Sequence, residues 1–148
     1  MAGWTEWQPL SDLYDDDATR RSGVYEIRFV NSKGKPIPVR RLGGIDEEGL
    51  YYIGQTGISF RRRLKYYLTD DYPEGDVREE IAETLRQKEG YQEFQLQYRV
   101  SIIEPKVIRE GLEGTRLEMY LEKFCELPPG NRVRQKRASD SFLGKIKS

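Results

Sequence analysis

Phe94, Leu96, Tyr98, Val100 and Ile102 alternate with Gln95, Gln97, Arg99 and Ser101. That period of two predicts a half-buried strand. Two further strands are marked by composition. Gly23–Val30 (GVYEIRFV) is β-branched and aromatic and ends at the turn-like cluster Asn31-Ser32-Lys33-Gly34, and residues 50–54 (LYYIG) form a shorter run. Between them Pro36 and Pro38 permit only an edge or irregular return through Arg40, and Gly43-Gly44 ahead of Asp46-Glu47-Glu48 reads as a loop. Elsewhere the spacing becomes helical. Phe60, Leu64, Tyr67 and Leu68 predict a basic amphipathic helix over 59–68, and Val77, Ile81 and Leu85 predict a second over 77–88, ending at Gly90. After Pro105, and above all from Thr115, the residues Leu117, Tyr120, Leu121 and Phe124 share one stripe until Pro128-Pro129-Gly130 terminates it. Residues 1–22, with Trp4 and Trp7 as packing anchors and the acidic run 15–17, read as an irregular or briefly helical lead-in.

The resulting order is strand, strand, helix, helix, strand, helix. It predicts an α+β domain in which an antiparallel or mixed sheet of about three strands is flanked by helices. No repeat or linker interrupts it, so residues 1–148 read as one domain. Its core is 23–131, with an insertion at 31–49 and a basic tail at 132–148.

Composition removes whole classes of chemistry. The 148 residues contain no histidine and one cysteine. Histidine-based triads, dyads and zinc sites are therefore excluded, as are an intrachain disulfide and a four-cysteine metal site. A catalyst must then use carboxylates, tyrosines, Lys/Arg or hydroxyls. The 25 basic residues balance 25 acidic ones, so attraction to a polyanion must come from local clusters. Two clusters stand out: Arg61-Arg62-Arg63 with Lys65, and the segment from Asn131 onward. There Arg132, Arg134, Lys136, Arg137, Lys145 and Lys147 face one acid, Asp140, a local charge of +5. The start MAGWTEWQPL has no basic-then-apolar leader and no stretch suits a membrane span, which gives the expectation of a cytoplasmic protein without a membrane partner.

Five features stand in a fixed order: Gly23-Val24-Tyr25, Tyr52-Ile53-Gly54, Arg63 on the first helix, Glu118 on the last, and Asn131 beyond Pro128-Pro129. In that combination the chain resembles the GIY-YIG nuclease family, including its restriction-enzyme-like members. The resemblance implies a metal-dependent endonuclease. Tyr25 and Tyr52 would position or deprotonate the attacking water, Arg63 (with Arg62 as the alternative in the run Arg61-Arg62-Arg63) would stabilise the phosphate, Glu118 would hold a single Mg²⁺ or Mn²⁺, and Asn131 would support the site. The residue types suit phosphodiester hydrolysis independently. A carboxylate holds a Mg²⁺ that keeps most of its waters, and a guanidinium grips phosphate oxygens through its planar fork. DNA is the expected substrate, with RNA and a homodimer left open, and Arg61, Arg62, Lys65, Arg132, Arg134, Lys136 and Arg137 are the expected backbone contacts.

Two departures from the family pattern bear on mechanism. Many members carry a histidine one turn after the arginine; here Tyr66-Tyr67 occupy that neighbourhood. The base would then be a tyrosine, Tyr25 by preference, and a phenolate at pH 7 costs about 4 kcal/mol before nearby positive charge reduces it. The second departure is the 31–49 insertion, whose Lys33, Lys35, Arg40 and Arg41 either read DNA or form an indifferent surface loop. Three functions follow from these features: an endonuclease, a binding module for nucleic acid or protein whose catalysis has lapsed, or an unrelated domain with a chance pattern.

Overall fold

The computed structural model describes residues 3–68 and 94–131. The expected helix over 77–88 and the basic tail lie outside them. The strand runs fold as the sequence predicts: β2 spans Gly23–Val30, β5 Leu50–Thr56 and β6 Gln95–Ile102, with a two-residue β1 at Gln8–Pro9. They form one antiparallel sheet in the order β1-β6-β2-β5. Because β2 is paired on both edges and covered on both faces, its run is apolar almost throughout rather than alternating.

The two faces carry different cores. Tyr25, Ile27 and Phe29 meet Tyr98 and Val100 of β6, Leu10 and Leu13 of the lead-in, and Phe60 and Leu64 of α1 (Phe60–Leu64). On the other face Leu50 and Ile53 meet Tyr120 and Phe124 of α2 (Lys106–Phe124), with Trp7 and Leu117 packed alongside. One charged residue shares that second face. Glu26 is wholly buried, and its carboxylate pairs with Arg99 and Arg116.

Three elements differ from the sequence reading. The last helix begins directly after Pro105, as read, but it turns Leu121 to solvent at 41% exposure; Leu121 therefore leaves the predicted stripe. The first helix keeps α geometry only to Leu64 and tightens to a 3-10 turn over Lys65–Leu68. The insertion forms a hairpin of its own, β3 (Val39–Arg41) with β4 (Gly44–Asp46), and it is fastened down rather than loose. Arg41 donates to Glu126 Oε1 and the Leu127 carbonyl, both at 2.6 Å. The Gly43 amide donates to the Phe124 carbonyl at 2.8 Å. Buried Asp46 accepts from the Leu50 amide at 3.0 Å and from the Tyr120 hydroxyl at 2.8 Å. Of the four basic residues considered as DNA readers, Arg41 is thus committed to the end of α2, while Lys33, Lys35 and Arg40 are exposed. Among the described residues no helix is long and apolar enough to cross a membrane.

Candidate active site

Antiparallel register sets Tyr25 of β2 directly across from Gly54 of β5. The consequence is steric. A Cβ on Gly54 would lie 2.6 Å from Tyr25 Cζ and 2.7 Å from its hydroxyl, so the phenol occupies the space that glycine leaves. Gly23 is fixed differently, by a φ of +153° with its α-carbon packed on the Ser101 carbonyl, a conformation that side-chain-bearing residues rarely adopt. The two glycines of the repeated motif thus have separate physical reasons: one admits the Tyr25 ring and the other starts the strand that carries it.

A bulge brings in the second tyrosine. The ladder skips from Ile27↔Tyr52 to Arg28↔Leu50, leaving Tyr51 as the extra residue. Tyr51 and Tyr52 both pack with the Tyr25 core: Tyr51 buries its ring 5.1 Å from Phe29, and Tyr52 stacks on Tyr25 at 5.8 Å with an interplanar angle of 22°. Tyr67, from the turn after α1, closes the group at 6.4 Å from Tyr52 and 6.2 Å from Tyr51.

The three arginines of α1 part ways. Ser59 caps the helix by accepting from the Arg62 amide at 3.3 Å, which fixes where each side chain emerges. Arg61 turns to the lead-in, donating to Thr19 Oγ1 at 3.1 Å, the Asp16 carbonyl at 3.2 Å and the Tyr14 carbonyl at 3.3 Å. It is an internal fastener rather than an open DNA contact. Arg63 is exposed and its charge acts on the Tyr25 phenol; Arg62 and Lys65 are exposed as well. Arg132, Arg134, Lys136 and Arg137 lie outside the described residues.

On α2 the carboxylate facing this group is Glu113. It is buried at 6% exposure, and its charge acts on Tyr25. Glu118 is exposed, five residues on and therefore about 140° around the helix. The sequence reading missed Glu113 because its apolar stripe starts at Leu117. Carried back one turn, the stripe of Phe124, Tyr120 and Leu117 arrives at 113, and a carboxylate on a buried stripe is a signal for a site.

Electrostatics in the group run mostly one way. Burial pushes the Tyr25 phenol well above the usual tyrosine value; Tyr52, Tyr67 and Glu113 push it further, and Arg63 opposes them. At neutral pH Tyr25 is a neutral phenol, able to donate and to accept a hydrogen bond. Among the described residues no three Asp, Glu or Cys side chains gather to hold a metal ion. A cation at this site would rest on the Glu113 carboxylate with water completing its shell, a donor set that suits Mg²⁺.

Asn131 lies in a 3-10 turn, Pro129–Asn131, and is wholly buried. Its Oδ1 accepts from the Ile53 amide and its Nδ2 donates to the Ile53 carbonyl, both at 2.9 Å. It therefore acts as one further rung on the open edge of β5, holding the strand between Tyr52 and Gly54. Asn131→Ala would leave both Ile53 backbone groups buried and unpaired. We expect a loss of about 3 kcal/mol in chemical denaturation, and a loss below about 0.5 kcal/mol would show the clamp to be dispensable.

Tyr52 and Tyr67 thus pack about Tyr25, whose phenol fills the space over Gly54 and feels the charges of Arg63 and Glu113, while Asn131 clamps β5 at Ile53 and Arg61 is tied to the lead-in. No family model, curated protein or solved structure matches the chain.

Proposed function

We propose that the protein is a metal-dependent endonuclease of the GIY-YIG type that hydrolyses DNA phosphodiester bonds. The observation supporting this most is that Tyr25, stacked on Tyr52 over Gly54, feels the charges of both Arg63 and the buried Glu113. In this reading Arg63 grips a non-bridging phosphate oxygen through its guanidinium fork. The Tyr25 and Tyr52 hydroxyls orient the attacking water, and the small ionised fraction of Tyr25 accepts its proton. Glu113, rather than Glu118, would hold Mg²⁺ or Mn²⁺, which when bound supplies positive charge to the phosphate and leaving oxygen. Arg62 and Lys65 are exposed beside the arginine and serve as contacts to the DNA backbone.

A second reading keeps the fold and drops the chemistry: a nucleic-acid- or protein-binding module. One observation favours it, the neutral Tyr25 held by burial in a chain without histidine. Plasmid nicking separates the two. The purified protein is expected to convert supercoiled DNA to open circles with Mg²⁺ or Mn²⁺ and to stop when EDTA is added. Arg63→Ala should lower the rate by roughly a hundredfold, the scale for losing one preorganised charge on a transition state. Binding of DNA without nicking in either metal would establish the binding module.

A further inference from the structure

We propose that Glu26 and Arg116 are positioning residues for the tyrosine–carboxylate site, setting where Glu113 stands relative to Tyr25; this rests on the nuclease reading above. Glu26 follows Tyr25 in β2 and points to the opposite face, where its carboxylate is wholly buried. One oxygen, Oε1, accepts from Arg99 Nε at 2.7 Å. The other, Oε2, accepts from Arg116 Nε at 3.1 Å and Nη2 at 2.8 Å. Arg99 lies on β6 directly across from Glu26, so that arm joins two strands that the ladder already joins. Arg116 lies on α2, three residues beyond Glu113. The Arg116 arm is therefore a short path from the tyrosine strand to the carboxylate helix, running Tyr25, Glu26, Arg116, Glu113.

Two guanidinium nitrogens converging on one carboxylate oxygen hold Arg116 to Glu26 in a narrower range of positions than a single hydrogen bond would. An apolar contact of the same size would let the helix slide and turn. Stability alone does not call for the charges, since buried Arg-Glu-Arg groups can be replaced by apolar residues without loss of stability. What the ionic version supplies is one register of α2 against β2. Trp4 and Trp7 cover the Arg99 arm, each ring centroid 4.8 Å from its guanidinium, and Trp4 also lies 5.8 Å from that of Arg116.

The two arms make a matched comparison, because Arg99→Met and Arg116→Met each remove one arginine from the same carboxylate. Mn²⁺ binding, read from loss of the free-ion electron paramagnetic resonance signal, is measured for the parent and both variants without DNA, beside plasmid nicking and thermal unfolding. Arg116→Met is expected to weaken Mn²⁺ binding about tenfold, the scale for losing a residue that orients a metal ligand. It should raise the Mn²⁺ needed for half-maximal nicking by the same factor. Arg99→Met should leave both within about twofold, whatever its unfolding temperature. Equal shifts in the two variants, or no shift in either, would overturn the positioning role while leaving the nuclease standing. A parent that neither binds Mn²⁺ nor nicks DNA overturns both. Should Arg116→Met fail to fold, Arg116→Lys, which keeps the charge and loses the fork, must show a shift in the same direction or the proposal falls.

Discussion

Glu113→Gln is expected to lower metal-dependent cleavage by a hundred- to a thousandfold, while Glu118→Gln cuts within about twofold of the parent. The substitution keeps side-chain length and removes the only anionic donor that faces the tyrosines from α2. Its cost falls on the chemistry rather than the fold, because the amide still offers an oxygen of the same reach. Glu118 is exposed on a different side of the same helix, so its loss changes a solvated charge. Initial rates of plasmid nicking over a Mg²⁺ titration check both variants together. If Glu118→Gln is the inactive one, the carboxylate belongs where the motif spacing first put it, and α2 must rotate when DNA binds.

The burial of Glu113 and the exposure of Glu118 illustrate what the sequence could convey. Periodicity placed β2, β5 and β6 within a residue or two, since alternation and β-branched runs are local properties of the chain. The paired tyrosines and Arg63 were legible because their strands and helix were. The helix carrying the carboxylate was read from its apolar stripe, and that stripe ends at Leu117. The part of the helix before it shows Val107 and Ile108 to solvent and buries Glu113, a polarity reversed from the ordinary rule. Glu26 was invisible for a related reason. A lone charge in an apolar strand looks like an outward position until Arg99 and Arg116 are known to meet it. The β3–β4 hairpin is held by Glu126, Asp46 and Tyr120, contacts made across more than 70 residues of chain, which no local pattern encodes. Asn131 read as a turn former, and it does sit in a turn; its grip on Ile53 needs the fold.

Tyr25→Phe is expected to reduce cleavage by at least about a hundredfold, with the parent's rate climbing throughout the range from pH 7 to about pH 9. The ring keeps its stacking on Tyr52 and its edge contact with Phe60, so packing is preserved while the hydroxyl is lost. The pH dependence follows from the direction of the shift. Burial, Tyr52, Tyr67 and Glu113 raise the phenol above its ordinary value of about 10, so each unit of pH below that value multiplies the ionised fraction roughly tenfold. No imidazole is present to level the profile near neutrality.

The upper limit of the usable range comes from stability. A tyrosine whose folded value is raised stabilises the fold fully below its unfolded value of about 10, and that contribution is lost as the pH rises toward the folded value. Three tyrosines act in this direction: Tyr25; Tyr98, raised by burial and its hydrogen bond to Asp16; and Tyr120, raised by burial and the charge of Asp46. The thermal unfolding midpoint should therefore hold up to about pH 9 and fall above about pH 10, which confines the rate profile to the lower range. Tyr25→Phe should keep most of the alkaline fall, since Tyr98 and Tyr120 remain. If Tyr25→Phe instead cuts at the parental rate while Tyr52→Phe or Tyr67→Phe does not, Tyr25 is a packing residue and the proton leaves through the half-buried phenol whose loss stops the reaction.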